Sequence, residues 1–165
     1  MQYISSYESR LGKIILTADR DALTGLYFEG TRDYHAAAGE MRRYESALIR
    51  RAKLWLDIYF SGRKPDFTVP LRQEGTPFQR RVWEILQDIP YGETTSYGEI
   101  ARQIAKERGI PRMAAQAVGG AVGRNRILIM IPCHRVIGSD SSLTGFGGGL
   151  ERKAALLALE KIGLS

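Results

Sequence analysis

Cysteine and histidine are almost absent from this sequence. Its 165 residues include one cysteine, Cys133, and two histidines, His35 and His134. A lone cysteine cannot form an internal disulfide, and the usual zinc-site spacings need more Cys and His ligands than this chain has. The composition therefore excludes a disulfide scaffold, and we expect neither a metal ion nor another cofactor.

Long apolar runs are also missing. No run approaches the ~20 residues that a membrane-crossing helix needs, and the opening residues MQYISSYESR lack the apolar core of an export signal. Hydrophobic residues make up 44% and charged residues 25%, as in an ordinary globular protein. We expect a soluble, cytoplasmic protein with no membrane partner.

Basic residues outnumber acidic ones. Lys and Arg total 24 against 18 Asp and Glu, which gives a net charge of +6, and residues 76–165 carry 12 basic and 8 acidic groups. A basic balance favours a polyanionic partner. A solvated surface with a modest Lys/Arg excess explains it equally well, so charge alone leaves the partner open.

Residues 1–75 are predicted to form a small α+β lobe. Residues 13–18 and 23–28 alternate as strands do and flank a short polar turn, which indicates a hairpin. From residue 40 to residue 60, apolar residues recur at spacings of three and four and predict an amphipathic helix. Residues 67–69 are a candidate for one more strand. No reactive cluster stands out here, and His35 is interpreted as part of a surface loop.

Residues 76–165 are predicted to form a second, mostly helical lobe. Thr76 is a good helix N-cap, and Pro77 suits the first helical position. Their helix should end at residues 90–92, Pro-Tyr-Gly. A final helix is predicted from Leu150 to Ile162.

A helix-turn-helix is predicted between these two helices. Ser96 with Glu99 three residues later is a capping box for a helix over residues 97–107. Gly109 then breaks the chain, and a second helix is predicted over residues 112–122.

That second helix carries an unusual set of small residues. Small side chains allow tight packing on a neighbouring helix, and they equally allow close approach to a nucleic-acid groove, with Arg112 and Arg124 binding phosphates at the two ends. One helix has two faces, so both interpretations stand. The residues concerned are Ala114, Ala115, Ala117, Val118, Gly119, Gly120 and Ala121.

A chemically reactive sequence follows. The apolar residues 127–131 lead into Pro132 and then Cys133, His134 and Arg135. A neighbouring imidazole and a cation raise the thiolate fraction of a cysteine. A lone cysteine is also commonly a small buried apolar residue. In a strand, adjacent side chains point to opposite faces, so Cys133 and His134 cooperate only if the backbone turns there or a water bridges them.

Several segments of the sequence form recognisable motifs: Phe78-Gln79-Arg80-Arg81-Val82-Trp83, Ile89-Pro90-Tyr91-Gly92, Thr95-Ser96-Tyr97-Gly98, Ala117-Val118-Gly119-Gly120-Ala121, Pro132-Cys133-His134-Arg135-Val136, and the glycine-rich residues 144–149 before a helix with Glu160. These motifs together resemble the O6-alkylguanine-DNA alkyltransferase family (methylated-DNA–protein-cysteine methyltransferases). The resemblance is nearly continuous over residues 76–165 and looser before them. It implies an α+β fold: an N-terminal lobe of antiparallel sheet plus helix, ribonuclease-H-like, over residues 1–75, then a winged-helix-like domain with the helix-turn-helix over residues 76–165.

The resemblance also implies a reaction. Cys133 would accept an alkyl group from O6 of guanine in double-stranded DNA, and less efficiently from O4 of thymine. His134 would act as base through a water, and Glu160 would orient it. Asn125 would brace the active-site turn, and Tyr97 would hydrogen-bond the guanine. No second thiol can regenerate Cys133, so each molecule, expected to be a monomer, would react once.

Further residues are assigned to the substrate and the DNA on the same basis. The carbonyls of Cys133 and Val136 and the N–H of Gly147 would read the flipped base, with Phe146 and Arg135 beside it. The second helix of the helix-turn-helix would enter the minor groove, which explains its small residues, Ala117 and Gly119 among them.

Three positions depart from the family pattern. Gln116 stands where an intercalating arginine is usual, so we expect weaker DNA binding or slower base flipping, partly offset by Arg112. Phe146 replaces a common tyrosine and loses one hydroxyl contact. Arg126 follows Asn125 where proline is frequent, which predicts a looser turn.

Two other functions compete with this interpretation. A non-catalytic DNA-binding protein would need no reactive thiol, and lesion-sensing relatives typically lack the cysteine. A cysteine hydrolase would need a triad that the sequence does not offer beyond Glu160. Permanent alkylation of Cys133 distinguishes the alkyltransferase from both.

Overall fold

A computed structural model describes residues 2–31, 41–138 and 145–163. His35 and Thr144 therefore lie outside the described residues, and the loop prediction for His35 is untested. None of the helices in these ranges is long and apolar enough to cross a membrane.

A four-stranded sheet forms the first lobe. Its strands are β1 (Gln2–Ser9), β2 (Gly12–Ala18), β3 (Leu23–Phe28) and β4 (Met41–Arg43), in the spatial order β3-β2-β1-β4. The predicted hairpin is confirmed, since β2 and β3 pair antiparallel, and the carboxylate of Asp19 accepts the N–H groups of Asp21 and Ala22 in the turn between them. β1 was not predicted; it pairs antiparallel with β2 and parallel with β4, so the sheet is mixed and not wholly antiparallel as expected.

Two boundaries in this lobe differ from the prediction. Helix α1 spans Ala47–Phe60 and begins at the N-cap Ser46, so a helix from residue 40 was wrong. The side chain of Ser46 accepts the N–H of Ile49, while Met41–Arg43 pair with β1 instead. The strand at residues 67–69 was also wrong: these residues form no strand, and the chain pairs with β3 only just after them, through a bridge between Leu71 and Leu23.

The second lobe is mainly helical, as predicted. α2 spans Pro77–Gln87, α3 Tyr97–Arg108, α4 Ala115–Gly123 and α5 Leu150–Gly163. Thr76 and Gln79 form a reciprocal capping box at the start of α2. At α3, Ser96 accepts the Glu99 N–H, but the carboxylate of Glu99 accepts the hydroxyl of Thr95 instead, so only half of the predicted box forms.

The helix-turn-helix is present as α3 and α4. The turn begins at Gly109, whose φ of 65° lies in the left-handed region that glycine adopts at low cost. α4 starts three residues later than predicted, with Ala114 as its N-cap. Arg112 therefore lies in the turn and not on the helix. Two short strands, β5 (Thr95–Ser96) and β6 (Val136–Ile137), pair in parallel beside it.

The outer edge of β3 joins the two lobes. The N–H of Leu26 donates to the carbonyl of Arg126, and the N–H of Leu128 donates to the carbonyl of Leu26, both at 2.9 Å. Further along β3, Leu23 exchanges two backbone hydrogen bonds with Pro70 and Arg72 of the segment before α2. The chain that leads to Cys133 is therefore anchored on the first lobe.

Candidate active site

Cys133 lies on a single turn of 3₁₀ helix, Cys133–Arg135, that follows Pro132. The N–H of Val136 donates to the carbonyl of Cys133 and closes this turn. The backbone thus turns between the cysteine and the histidine, which is the condition under which their side chains cooperate. Cys133 is buried, with 4% of its surface exposed.

Asn125 holds the loop before Cys133 together. Its side-chain oxygen accepts the N–H of Ile127 at 3.0 Å. Its Nδ2 donates to the carbonyl of Ile131 at 3.0 Å and lies 3.2 Å from the Sγ of Cys133. This side chain is 2% exposed. The bracing that the resemblance implied is consistent with this geometry, and the N–H aimed at sulfur favours the thiolate over the thiol.

His134 is fully buried against Glu160. Its Nε2 lies 2.5 Å from Glu160 Oε2, which assigns the proton to Nε2 and leaves the lone pair on Nδ1. Nδ1 has no protein hydrogen-bond partner among the described residues. Burial lowers the pKa of His134, against the opposing influence of Glu160, so the imidazole is neutral and able to accept a proton at pH 7.

Glu160 is the charged centre of this network. It accepts hydrogen bonds from His134, from Arg135 Nε at 2.8 Å, from the hydroxyl of Tyr59 at 2.6 Å and from the N–H of Gly92 at 3.1 Å. Burial alone would raise the pKa of Glu160, but the hydrogen bonds and charges of His134 and Arg135 outweigh it and lower that pKa to about 2. Glu160 is therefore ionised whenever the protein is folded at neutral pH.

Arg135 belongs to this buried network and not to a DNA-facing surface. Only 8% of the residue is exposed, and besides its bond to Glu160 its Nη1 donates to the carbonyl of Ile89 at 2.8 Å. The prediction that Arg135 contacts substrate or DNA does not fit this placement, because its guanidinium is committed to internal partners. Its cation instead balances the buried carboxylate.

Tyr59 and Lys153 were missed by the sequence reasoning. Tyr59 comes from α1 of the first lobe and is fully buried. Lys153 on α5 is also fully buried, and its Nζ donates to the carbonyl of Val136 at 2.6 Å. Burial lowers the pKa of Lys153, and the charge of Cys133 opposes this. No local motif marks either residue, and Lys153 directly follows two other charged residues of α5.

A cavity of about 170 Å³ opens beside the thiol. It brings together six of the predicted residues: Tyr97, Gly119, Asn125, Cys133, Phe146 and Gly147. The carbonyl of Val136, predicted to read the base, is engaged by Lys153. The cavity lining as a whole is Tyr97, Gly119, Val122, Gly123, Asn125, Leu128, Cys133, Gly145, Phe146 and Gly147.

The surface next to this cavity is the exposed side of α4. Gln116, Ala117 and Gly120 are exposed, whereas Val118 and Ala121 are buried against the core. The buried side therefore packs on the core, as one interpretation of the small residues predicted, and approach of the exposed side to a nucleic-acid groove stays a prediction. Gly119 lies between them, and a Cβ there would be 3.8 Å from the ring of Tyr97.

Two arginines flank this surface. Arg112 in the turn and Arg124 at the C-cap of α4 are both exposed. Arg124 adjoins the C-terminal end of α4, Arg112 lies in the turn before its N-cap Ala114, and phosphate binding by both stays a prediction. Within the described ranges, no group of three or more His, Cys, Asp or Glu side chains is arranged to hold a metal ion.

Comparison with known proteins agrees with this arrangement. The ribonuclease-like domain of 6-O-methylguanine DNA methyltransferase matches residues 2–73, and the DNA-binding domain of the same family matches residues 77–162. The predicted fold, a ribonuclease-like lobe followed by a helical DNA-binding domain, is thereby confirmed.

Individual relatives are similar over nearly their whole length. The methylated-DNA–protein-cysteine methyltransferase of Haemophilus influenzae is 42% identical over 161 residues, 97% of this chain and 87% of that protein. The constitutive protein of that name from Bacillus subtilis is 41% identical over 165 residues, 98% and 97% of the two chains. The crystal structure of Mycobacterium tuberculosis OGT in complex with DNA is 43% identical, with a TM-score of 0.83 over 98% of this chain and 94% of that one. The chain therefore belongs to the 6-O-methylguanine DNA methyltransferase family.

Proposed function

We propose that this protein repairs DNA by transferring the alkyl group of O6-alkylguanine, and less efficiently of O4-alkylthymine, to Cys133. The observation that carries the proposal is the position of Cys133: it has an N–H aimed at its sulfur and lines a cavity beside the exposed face of a helix-turn-helix. A buried neutral histidine, His134, follows it on the same turn of 3₁₀ helix.

The residues divide the chemistry among themselves. The Cys133 thiol gives its proton to His134 Nδ1 through a water, and Glu160 holds the other nitrogen of the ring. The thiolate sulfur then forms a bond to the alkyl carbon as the carbon–O6 bond breaks. The electron pair goes to the guanine, which takes a proton from the Tyr97 hydroxyl. The proton held on His134 then returns to the Tyr97 oxygen through water. The products are a thioether and unmodified guanine.

The alkylated protein cannot react a second time. A thioether has no leaving group comparable to guanine, and Cys133 is the only cysteine of the chain, so no second thiol is present to restore it. We infer a stoichiometric reaction of one alkyl group per protein.

The DNA is proposed to approach through its minor groove. Apart from Gln116, the exposed residues of α4 are alanines and glycines, Ala117 and Gly120 among them, so a duplex backbone can come close. A base inside a duplex is out of reach of a buried thiol, so the target nucleotide must be flipped into the cavity, at a cost of a few kcal/mol. Gln116 would fill the gap that the base leaves, and Arg112 and Arg124 would bind phosphates.

The division of labour follows the two lobes. Residues 76–165 would bind DNA and carry out the transfer, while residues 1–75 would support them, a division that the matched ranges 2–73 and 77–162 favour. Monomeric action and a cytoplasmic location stay predictions from the sequence.

Mass spectrometry tests the proposed function directly. The protein is incubated with a duplex that contains one O6-methylguanine, and intact and peptide masses are recorded. We expect a gain of one methylene unit on the peptide with Cys133, saturating at one per molecule. Cys133→Ala should gain nothing yet still bind the duplex. Transfer by Cys133→Ala would disprove the acceptor assignment, and binding without transfer by the unaltered protein would indicate a lesion-binding protein instead.

A further inference from the structure

Gln73 connects the segment before α2 to the active-site loop by both ends of its side-chain amide. Its Nε2 donates to Asn125 Oδ1 at 3.0 Å. Its Oε1 accepts the backbone N–H of Arg126. One side chain from the segment that joins the lobes therefore bonds to two successive residues of the loop that leads to Cys133.

The contact with Asn125 is one of those that set which way the Asn125 amide points. An asparagine side chain has an accepting and a donating end of nearly the same shape, and the surrounding groups choose between the two orientations. Asn125 Oδ1 meets two donors, Gln73 Nε2 and the Ile127 N–H, each at 3.0 Å. The NH₂ group is consequently directed toward the Ile131 carbonyl and the sulfur of Cys133.

We propose that Gln73 is a positioning residue of the transfer reaction: it fixes the amide of Asn125 in the orientation that donates an N–H to the sulfur of Cys133. The proposal rests on the function proposed above. The reacting atoms never touch Gln73, which acts through Asn125. A fixed N–H donor stabilises the negatively charged sulfur more than the neutral thiol, so the reactive form becomes more abundant.

The backbone around Gln73 is held well enough to perform this role. Leu23 on β3 exchanges hydrogen bonds of 2.8 and 2.9 Å with Pro70 and Arg72. Leu26, on the same strand, is bonded to Arg126 and Leu128. The segment with Gln73 and the loop with Asn125 therefore rest on one strand, and the two bonds of Gln73 span the short distance between them.

Arg126 makes the second contact of Gln73 possible. An arginine at this position carries a backbone N–H that needs an acceptor, and Gln73 Oε1 supplies it. The turn after Asn125 is therefore tethered from the side by a side chain of the adjoining segment.

The test is the pH dependence of Cys133 alkylation by iodoacetamide, which needs neither DNA nor a lesion. Cys133 is the only cysteine of the chain, so the rate reports on this thiol alone. Gln73→Met keeps the length of the side chain and removes its donor and its acceptor. We expect the apparent pKa of Cys133 to rise by about one unit, with alkylation about tenfold slower below that pKa. Gln87→Met, at an exposed position that ends α2, is the matched control and should leave the profile unchanged.

A double-mutant cycle separates positioning from simple support of the fold. In an Asn125→Ala background, Gln73→Met should cause no further shift, because the amide through which it acts is gone. An unchanged profile for Gln73→Met, even with a lower melting temperature, would overturn the proposal. So would a shift of full size in the Asn125→Ala background. If the shifts follow expectation while the unaltered protein removes no methyl group from DNA, the proposed function fails and the positioning role stands.

Discussion

Acidification is a sharp test of the buried network around Glu160. This carboxylate accepts hydrogen bonds from Tyr59, His134, Arg135 and Gly92, and its pKa in the folded protein is about 2. In the unfolded chain the same group titrates near 4.3. At a pH between these two pKa values, Glu160 is protonated in the unfolded state and ionised in the folded state. Folding therefore becomes less favourable as the pH falls.

The size of the effect follows from the difference between the two pKa values. Each pKa unit corresponds to 1.36 kcal/mol, so Glu160 contributes about 3 kcal/mol of stability above pH 5 that is lost as the pH falls toward 2. His134 acts in the same direction at higher pH. Its pKa is lowered by burial, so unfolded histidine takes up a proton near pH 6.5 while the folded one does not, and stability already declines as the pH drops below that value.

Urea unfolding at a series of pH values between 7 and 2.5 measures this directly, with Glu160→Gln beside the unaltered protein. The glutamine variant should be less stable at pH 7, because Arg135 then lies buried without its counter-charge, but its stability should depend less on pH between 5 and 2.5. Glu99→Gln, on the exposed start of α3, is the control. Parallel pH curves for Glu160→Gln and the unaltered protein would refute the assignment of the acid-sensitive charge to Glu160.

Three further predictions concern α4 and the N-cap of α2. Gln116→Arg adds a cation on an exposed face and should tighten binding to a lesion duplex by about tenfold, as measured by fluorescence anisotropy. Unchanged or weaker affinity would show that this residue does not take the place of the flipped base. Gly120→Ala should stabilise α4 by about 0.5–1 kcal/mol, since no atom lies near the new methyl group. The same variant should bind DNA more weakly, and equal or tighter binding would argue against close approach of DNA to α4 at this position. Thr76→Ala removes the cap of α2 and should cost about 1 kcal/mol in thermal or urea unfolding, while the rate of methyl transfer stays the same; a slower transfer would mean that the cap also shapes the site.

Local signals predicted most of the elements. Thr76 with Pro77 marked the start of α2, Gly109 marked the end of α3, and the polar residues 19–21 marked a hairpin, each through a preference that acts within a few residues. The errors arose where local and distant pairing compete. Met41 fits a helical spacing, but residues 41–43 instead pair with the edge of β1 and form a strand.

The candidate site was predictable only in part, for the same reason. Cys133 and His134 adjoin each other in a recognisable motif, and Glu160 and Asn125 came from the resemblance. Tyr59 lies 101 positions from Glu160, and no pattern in the sequence links them, because tertiary packing alone brings them together. Arg135 was placed beside the flipped base through the resemblance, whereas its guanidinium bonds to the buried carboxylate of Glu160, a contact that no local pattern indicates.

The outer edge of β3 has a further consequence for the protein in a crowded solution. An uncovered edge strand presents a row of unpaired N–H and C=O groups on which a second chain can assemble. Here Leu23 and Leu26 are bonded on that side to residues 70–72 and 126–128, so the sheet cannot be extended there unless the loop before Cys133 is pulled away. The contacts that anchor the reactive loop thus also guard the sheet against edge-to-edge aggregation.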